Sequence, residues 1–528
     1  MLSGFEGLGS LEAKDSQTTM HALAPPRNYT ISAGGISKDN HIRFWVNNPK
    51  YESCVRDIAA SGSIEAISNL AKDVSFIFVD TRQRRLIAGR DRLGIGDVYF
   101  HRQNATMSAS SDIALVLAQA RPTSLCRRAL AHYLRSQFLP PPYTPFEGVG
   151  KLAAGEILIA KATKSDLFAH QYKTPFYRFG EVEKLSGSVS NLFEQVYTEL
   201  SEEAQSDPWL FLSSGGLDST TNLIAARKAG RVMSACTAAF ESEAFDESVY
   251  ARNVCEFANI AWRGWRTPHF GLDDLRSLVS HLSEPICDRA YIPTRWMLET
   301  QTPGLLITGE GGDEVWGGPR RWSNHITSLS GYLQRIAATP QALRLALLED
   351  EALIASVDEE EVSEAQDIAQ ANKARTLFEE AKAYQAARWL PENVIRKDTS
   401  AANGSVAFPL ADERCVQFMS SLSADAHERG CDDKAFLRAY LDRQVPPETL
   451  SRPKMKFKIP RDIWLSAELG DFVLDQLQDA RSPFAGLLNT RVLADLYRSP
   501  PKDDRILWGL FTYLEWVNES LERSRGLN

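Results

Sequence analysis

Trp209-Leu-Phe-Leu-Ser-Ser-Gly-Gly-Leu-Asp-Ser-Thr220 is the stretch from which the rest of this chain can be read. Four apolar residues, Trp209 to Leu212, predict a short buried strand. Ser213 to Gly216 suit a tight turn, and from Leu217 the pattern becomes helical. A strand that feeds a glycine turn and then a helix start cradles anions. The turn exposes backbone N–H groups, and the helix N-terminus adds partial positive charge. Asp218, in the first helical turn, is placed to help hold Mg²⁺ beside a bound phosphate. The stretch is not a G-x-x-x-x-G-K-[ST] loop, and no G-x-G-x-x-G follows a strand. Taken alone it also fits an ordinary Gly-rich turn, so its meaning depends on what the chain places beside it.

At 528 residues the chain is too long for one core and predicts two or three domains. Its 43% hydrophobic and 24% charged residues are ordinary for a globular protein. A net charge of −9 argues against a nucleic-acid partner, which needs a basic face. The seven cysteines, at 54, 126, 236, 255, 287, 415 and 431, form no C-x-x-C pair and are odd in number. That fits buried thiols in a reducing compartment better than a disulfide framework or a zinc site. No basic-then-apolar signal pattern opens the chain, and no apolar run approaches the roughly 18 residues of a membrane span. The expectation is a soluble, cytoplasmic protein with no membrane partner.

Outward from the opening stretch, the second half alternates strand and helix. Strands are expected at 209–212, 232–240 and 305–308, with helices from 217 and over 248–258. The alternation predicts a parallel sheet covered by helices, with ligands bound beyond the carboxyl ends of its strands. Residues 326–392 read as mostly helical, and the acidic segment 348–367 as a solvated helical insertion rather than a metal site. The tail, Leu507 to Leu521, reads as an amphipathic helix whose Trp508, Phe511, Leu514 and Trp516 face a core. The first part is richer in strands. Candidates lie at 31–36, 42–46, 74–80, 86–89 and 97–100, with a helix over 126–139 stopped by Pro140-Pro-Pro142. The segment 146–159 reads as a turn and a return strand, 178–183 as a linker, and 189–203 as a helix. These readings divide the chain into domains 1–180 and 181–528.

Two further stretches have unusual chemistry. Gly309-Glu-Gly-Gly-Asp-Glu-Val-Trp-Gly-Gly318 combines five glycines with the carboxylates of Glu310, Asp313 and Glu314, which suit a cation or a base. An apolar strand leads straight into it, unlike a solvated acidic turn. Ser451-Arg-Pro-Lys-Met-Lys-Phe-Lys-Ile-Pro460 is a basic loop, and a lysine there suits charge developing in a transition state. Lys456 and Lys458 read as exposed.

Ser214-Gly-Gly-Leu-Asp-Ser219 resembles the pyrophosphatase-type loop of enzymes that adenylate carboxylates with ATP. With Gly309-Glu-Gly-Gly-Asp-Glu314 and Arg452-Pro-Lys454, the chain resembles the asparagine synthetase family of class B architecture. Phe245-Asp-Glu-Ser-Val-Tyr-Ala-Arg252, Arg396-Lys-Asp398 and Phe408-Pro-Leu-Ala-Asp412 add to the likeness. Arg90-Asp-Arg-Leu-Gly94 and Phe146-Glu-Gly148 are similar to the family's glutamine amidotransferase module. The resemblance covers about residues 70 to 525. It implies an α/β protein with two parts: an N-terminal Ntn-hydrolase-like domain, a degenerate glutamine amidotransferase, and a C-terminal adenylating synthetase domain with a parallel sheet and a helical extension. It also implies ATP and Mg²⁺. Ser214, Gly215, Gly216 and Ser219 would cradle pyrophosphate, with Leu212 and Gly309 completing the nucleotide site. Asp218 and Asp313 would hold Mg²⁺, Lys454 would stabilise the reacting centre, and Glu310 would be the acid/base group.

The chain departs from that family at the glutaminase nucleophile. Glutamine-hydrolysing members carry a cysteine at position 2, where this sequence has Leu2, and the first cysteine is Cys54. No Arg-Gly-Pro-Asp-Gly or Asn-Gly-Glu stretch is present, and Trp45-Val-Asn-Asn48 is at best a remnant. Ser405 and Ala407 stand where the family has acidic and arginine positions. The expectation is an ATP-dependent amide ligase that takes its amine from the substrate, as the β-lactam synthetases and lasso peptide cyclases do. Its substrate would be a small molecule or peptide bearing carboxylate and amine, in antibiotic or other natural-product biosynthesis, with a precursor peptide or protease as partner in the lasso case. An intramolecular amine has a high effective molarity and needs no ammonia supply. Two other readings stand beside it: an asparagine synthetase using free or partner-supplied ammonia, and a non-catalytic scaffold.

Overall fold

The computed structural model describes residues 42–527 apart from 62, 73, 81–84, 104–105, 163–166, 181–187, 205–207, 232, 243–244, 302, 324, 453–466 and 499–503. The strand expected at 31–36 lies outside the described residues, as does most of the basic loop. Two antiparallel sheets form the N-terminal part. The first contains β1 (Ile42–Val46), β2 (Phe76–Asp80), β3 (Arg85–Gly89), β7 (Glu156–Ala162) and β8 (Leu167–Lys173), in the order β1-β2-β3-β7-β8. The second contains β4 (Tyr99–Gln103), β5 (Thr106–Ser110) and β6 (Val149–Lys151), in the order β5-β4-β6. Side-chain alternation along β2 explains the layering. Phe76 and Phe78 join Val55, Ile67 and Leu70 of the helices Glu52–Ser61 and Ile64–Leu70. Ile77 and Val79 point the other way, into a core shared with Leu86, Met107, Leu152 and Leu158.

Two expectations need correction here. The segment 146–159 is not one return strand: β6 and β7 lie in different sheets. The helix expected over 126–139 runs Arg127–Ser136 and stops before the prolines. Gln137 takes a left-handed conformation, φ 66°, and its N–H donates to the Tyr133 carbonyl at 2.7 Å.

The second half builds one parallel sheet from β9 (Trp209–Leu212), β10 (Met233–Ala239), β11 (Ala261–Arg266), β12 (Leu305–Ile307) and β13 (Ser405–Ala407), in the order β11-β10-β9-β12-β13. Every pairing is parallel. The first strand therefore sits in the middle, and the winding reverses between β9 and β12. That reversal opens a crevice at their carboxyl ends. Both faces are buried, as a parallel sheet requires. Trp209, Phe211, Leu305 and Ile307 face the helices Val189–Glu203 and Leu217–Lys228, while Leu210 and Leu306 join the core of the tail helix, Asp504–Gly526. β11 and β13 escape sequence reading. Ala261-Trp-Arg-Gly-Trp-Arg266 is a half-exposed edge strand with charges, and Ser405-Val-Ala407 is three residues long.

Trp508, Phe511, Leu514 and Trp516 are buried, as their spacing predicts. The acidic segment 348–367 is helical from Glu351, and it is solvated on one side only, where Glu351, Glu359 and Asp367 are exposed. Ile354, Val357, Ala365 and Ala369 pack inward, and the neighbouring carboxylates meet cations. Asp358 accepts from Arg135 Nε at 2.7 Å and Arg344 Nη2 at 2.9 Å, Glu360 pairs with Arg128 at 3.1 Å, and Glu364 pairs with Arg388. The charges that looked like a water-facing surface are the docking face for arginines from distant segments.

A second charged junction ties the two sheet systems together. Arg90, Asp97 and Lys151 from the first half meet Glu284, Glu392 and Arg396 from the second, and all six are buried. Arg90 Nη1 lies 2.5 Å from Glu392 Oε1, Lys151 Nζ 2.9 Å from Glu392 Oε2, and Arg396 Nη1 3.0 Å from Asp97 Oδ2, with Lys151 also on Glu284. Among the described residues no helix is long and apolar enough to cross a membrane, and all seven cysteines are free thiols.

Candidate functional site

β9 ends at Leu212, and Ser213-Ser214-Gly215-Gly216 turns the chain into the helix Leu217–Lys228. Gly215 has φ 69°, and a Cβ there would lie 2.5 Å from the Tyr250 carbonyl carbon and 2.6 Å from the Ala251 nitrogen. Only glycine lets the turn close on the helix Ser248–Phe257. The serines fold the loop onto itself. Ser214 N–H donates to Ser219 Oγ at 3.2 Å, Gly216 N–H donates to Ser214 Oγ at 3.3 Å, and Ser219 Oγ donates to the Gly216 carbonyl at 3.3 Å. The first N–H groups of the 12-residue helix, which have no acceptor within it, stand at the crevice.

β12 delivers the second glycine stretch to the same place. A Cβ on Gly309 would lie 2.9 Å from the Ser219 nitrogen, and one on Gly312 would lie 2.4 Å from Asp218 Cγ. Asn222 Nδ2 donates to the Thr308 carbonyl at 2.6 Å and ties strand end to helix. The chain then forms a wide helical turn, Gly312–Trp316, held from behind. Buried Lys382 donates to the carbonyls of Glu314, Val315 (3.2 Å) and Gly317 (2.6 Å), and Tyr177 Oη donates to Glu314 O at 2.7 Å. Leu212, Ser214, Gly215, Gly216, Asp218, Ser219, Gly309 and Asp313 therefore share one crevice.

The three carboxylates of the second stretch do not act together, contrary to the simplest reading of their spacing. Asp313 and Asp218 converge on Lys434, whose Nζ is 2.6 Å from Asp313 Oδ1 and 2.7 and 2.5 Å from the two Asp218 oxygens. Burial works against that ammonium, and the two carboxylates nevertheless hold it well above its ordinary value. Lys434 is placed by strained backbone: Asp433 and Lys434 have φ 45° and 56°. Left-handed conformations at non-glycine residues cost of order 1–3 kcal/mol each and cluster where function over-determines them. Glu310 instead meets Lys397, with Nζ 2.5 Å from its Oε1, and Lys397 also lies 3.0 Å from Asp398 Oδ1. Burial pushes the Glu310 carboxyl up to about 8 against the pull of Lys397, and Asp398 adds to the rise. Glu314 turns inward, accepting from Gln385 Nε2 at 3.3 Å.

Two carboxylates meeting at one cation position fit Mg²⁺, which takes few protein ligands and completes its shell with water and phosphate. Among the described residues no group of three or more His, Cys, Asp or Glu is placed to hold a metal. Of the basic stretch, Arg452 reaches the loop: Nη1 donates to the Ser214 carbonyl at 3.1 Å and Nη2 pairs with Glu247 at 3.0 Å. Lys454 lies outside the described residues.

Lys434 is the residue that sequence reading missed. It reaches Asp218 across 216 positions, and Asp432-Asp-Lys434 has no distinguishing pattern of its own. Lys397 was legible only as part of a family-like triplet, with no role attached.

Comparisons with known proteins agree with this geometry. A profile of the asparagine synthase family matches residues 205–518, and one of the glutamine amidotransferase domain matches 51–173. The chain is 22% identical over 503 residues to asparagine synthetase [glutamine-hydrolyzing] 1 of Bacillus subtilis, covering 87% of this chain and 79% of that protein. It is 25% identical over 289 residues to a putative asparagine synthetase [glutamine-hydrolyzing] 2 of Methanocaldococcus jannaschii, covering 51% and 53%. It is 26% identical over 350 residues to amidase chry2 of Gibberella zeae, covering 59% and 49%. The synthase match spans more than half of the chain and takes in both loops of the β9–β12 crevice, so this chain belongs to the asparagine synthase family of carbon–nitrogen ligases, with an amidotransferase-like domain preceding the synthase part.

Proposed function

We propose that this protein adenylates a substrate carboxylate with ATP, releasing pyrophosphate, and that an amine of the substrate attacks the acyl-adenylate and expels AMP, closing a lactam or macrolactam. The meeting of Asp218, Asp313 and Lys434 at the head of the helix Leu217–Lys228 carries this reading. Ser214, Gly215, Gly216 and Ser219 offer hydroxyls and N–H groups to pyrophosphate, and Leu212 and Gly309 line the nucleotide. Asp218 and Asp313 would hold Mg²⁺, which neutralises charge on the leaving phosphates. Glu310 takes a proton from the attacking amine, and its raised pKa suits it to that exchange near neutrality. Lys454 completes the set as an electrostatic stabiliser. The division into domains 1–180 and 181–528 belongs to the same proposal, supported by the end of β8 at Lys173 and the start of the next helix at Val189.

In keeping with a substrate amine rather than glutamine, five of the seven cysteines carry no sign of activation. Burial pushes up Cys126, Cys236, Cys255, Cys415 and Cys431, the opposite of an activated nucleophile. The test is ATP–pyrophosphate exchange against a panel of carboxylates. Substrate-dependent exchange that disappears in Asp218→Ala is expected; full exchange in that variant removes the site assignment. The long match to the Bacillus asparagine synthetase favours a second reading, asparagine formation with free ammonia. Aspartate, ATP and ammonium yielding asparagine at a useful rate would establish it.

A further inference from the structure

A cavity of about 430 Å³ lies where the first half of the chain meets the second. That volume falls within the range of small-molecule sites, about 300–1,000 Å³. Asp97 and Ser111 line it from the first half, Arg295 and Asn403 from the second, and Glu519 and Arg523 from the tail helix. It shares no residue with the two glycine loops or with Lys434. Arg295, on the helix Tyr291–Glu299, is 6% exposed and has donors to spare. Its Nη1 donates to the Ala401 carbonyl at 3.2 Å and to Asn403 Oδ1 at 2.6 Å. Its buried Nε has no partner, and Nη2 meets no acceptor among the described residues. Nε and Nη2 share the side edge of the guanidinium, the edge that grips two oxygens at once. Tying its helix to the segment before β13 occupies Nη1 alone, so that bracing role leaves the side edge unused. No carboxylate of the wall fills it: Asp97 is held by Arg90 and Arg396, and Asp112 by Arg523 at 2.5 Å. The Ser111 hydroxyl, 5% exposed as a residue, is likewise buried without a partner. A buried donor left unmade costs about 1–3 kcal/mol.

We propose that this cavity is a second ligand site, which takes a small monocarboxylate on the side edge of Arg295. A carboxylate offers two oxygens in one plane, the shape that edge accepts. The other charges of the wall set the class. A phosphate brings more than one negative charge and would face Asp97, Asp112 and Glu519, whereas a carboxylate brings one, which Arg295 balances. A molecule held there touches both halves of the chain, beside Asp97 of the network that joins them. Its binding therefore stabilises the assembled fold in proportion to its occupancy. The site does not depend on the ligase reading and is separate from the acyl substrate.

Titration calorimetry and thermal unfolding of the full chain with acetate, lactate, alanine, benzoate and inorganic phosphate test the site. One-to-one binding of at least one carboxylate, with a raised unfolding midpoint, is expected. R295Q should weaken that binding at least about 10-fold, and R295K, which keeps the charge without the planar fork, should fall between. T399W places bulk in the cavity without touching Arg295. The Thr399 hydroxyl bonds only within its own helix, to the carbonyls of Ile395 and Arg396, so the fold does not depend on it. Loss of carboxylate binding in T399W is expected, and this variant decides the matter if R295Q fails to fold. D218N, in the crevice, should bind the carboxylate as the unaltered protein does. The proposal is overturned if no carboxylate of the panel binds, if binding persists in R295Q or T399W, or if it disappears in D218N, which would place it in the crevice. Phosphate that binds more tightly than every carboxylate overturns the ligand class.

Discussion

Two charge clusters in this protein look alike and are built on opposite principles, one sealed and the other open to solvent. The junction between the two halves holds three cations, Arg90, Lys151 and Arg396, against three anions, Asp97, Glu284 and Glu392. It is neutral and closed, with each member touching at least two others or a backbone carbonyl. The cluster in the crevice gathers Asp218 and Asp313 around Lys434 and stays open to solvent, with the Asp313 side chain 45% exposed. Balanced burial fixes the position of the two sheet systems, because each ion is compensated within the network. An open cluster leaves room for a ligand, and in the proposed reading a divalent cation with phosphates would join Asp218 and Asp313.

Breaking the closed network should have the largest effect. E392Q takes a carboxylate from Arg90, Lys151 and Arg396 at once and leaves buried positive charge unpaired. A loss of about 3–5 kcal/mol is expected, read as a fall in the urea midpoint. Removing Lys151 together with Glu284 should destabilise less than the sum of the two single changes, because each single change strands the other partner. The crevice cluster should behave in the opposite way. D218N and D313N are expected to keep stability within about 1 kcal/mol, since both side chains reach solvent. Pyrophosphate exchange in each should fall by at least about 100-fold. Equal stability losses at Glu392 and Asp218 would erase the distinction between the clusters.

That distinction also explains what the sequence could and could not tell. Local pattern carries the loops. Ser214 to Ser219 and Gly309 to Asp313 are contiguous, and glycines there report close approach, as Gly215 against Tyr250 shows. The strands at 209–212 and 305–307 are legible because both faces are apolar. Charge pairing is not local. Arg90 meets Glu392 across 302 positions, and Lys434 meets Asp218 across 216, so each reads alone as a surface residue. The same blindness makes Glu351–Ala371 look solvated, although its carboxylates await arginines at 128, 135, 344 and 388. Edge strands such as Ala261–Arg266 fail for a further reason, since their outward residues follow no core pattern.

Gly215 tests the loop without touching a charge. Alanine there meets the Tyr250 backbone and must hold φ 69°, so a loss of roughly 1–3 kcal/mol and weaker ATP binding are expected together in G215A. G486A, with similar φ 72° and open space around it, should show the smaller, purely conformational part.

The smallest effect concerns carboxylates that are paired but belong to neither cluster. Glu360 is held down to about 2, first by His132, whose Nε2 is 3.5 Å away, and then by Tyr143 and Arg128. Glu379 is also at about 2: burial pushes it up, but His427 and Arg375 prevail. Both therefore favour the ionised form in the folded chain relative to an ordinary value of 4.5. The stability they contribute is fully present above about pH 4.5 and is lost as pH falls toward 2. E360Q and E379Q should each flatten the fall of the unfolding midpoint across that window and leave its slope above pH 6 unchanged. Glu379, fully buried beside His427, should contribute more than half-exposed Glu360, whose pairing is screened by solvent. An acid slope that ignores both substitutions would assign acid sensitivity to other paired carboxylates such as Glu392, which burial pushes up but Arg90, Lys151 and Arg396 hold well below its ordinary value.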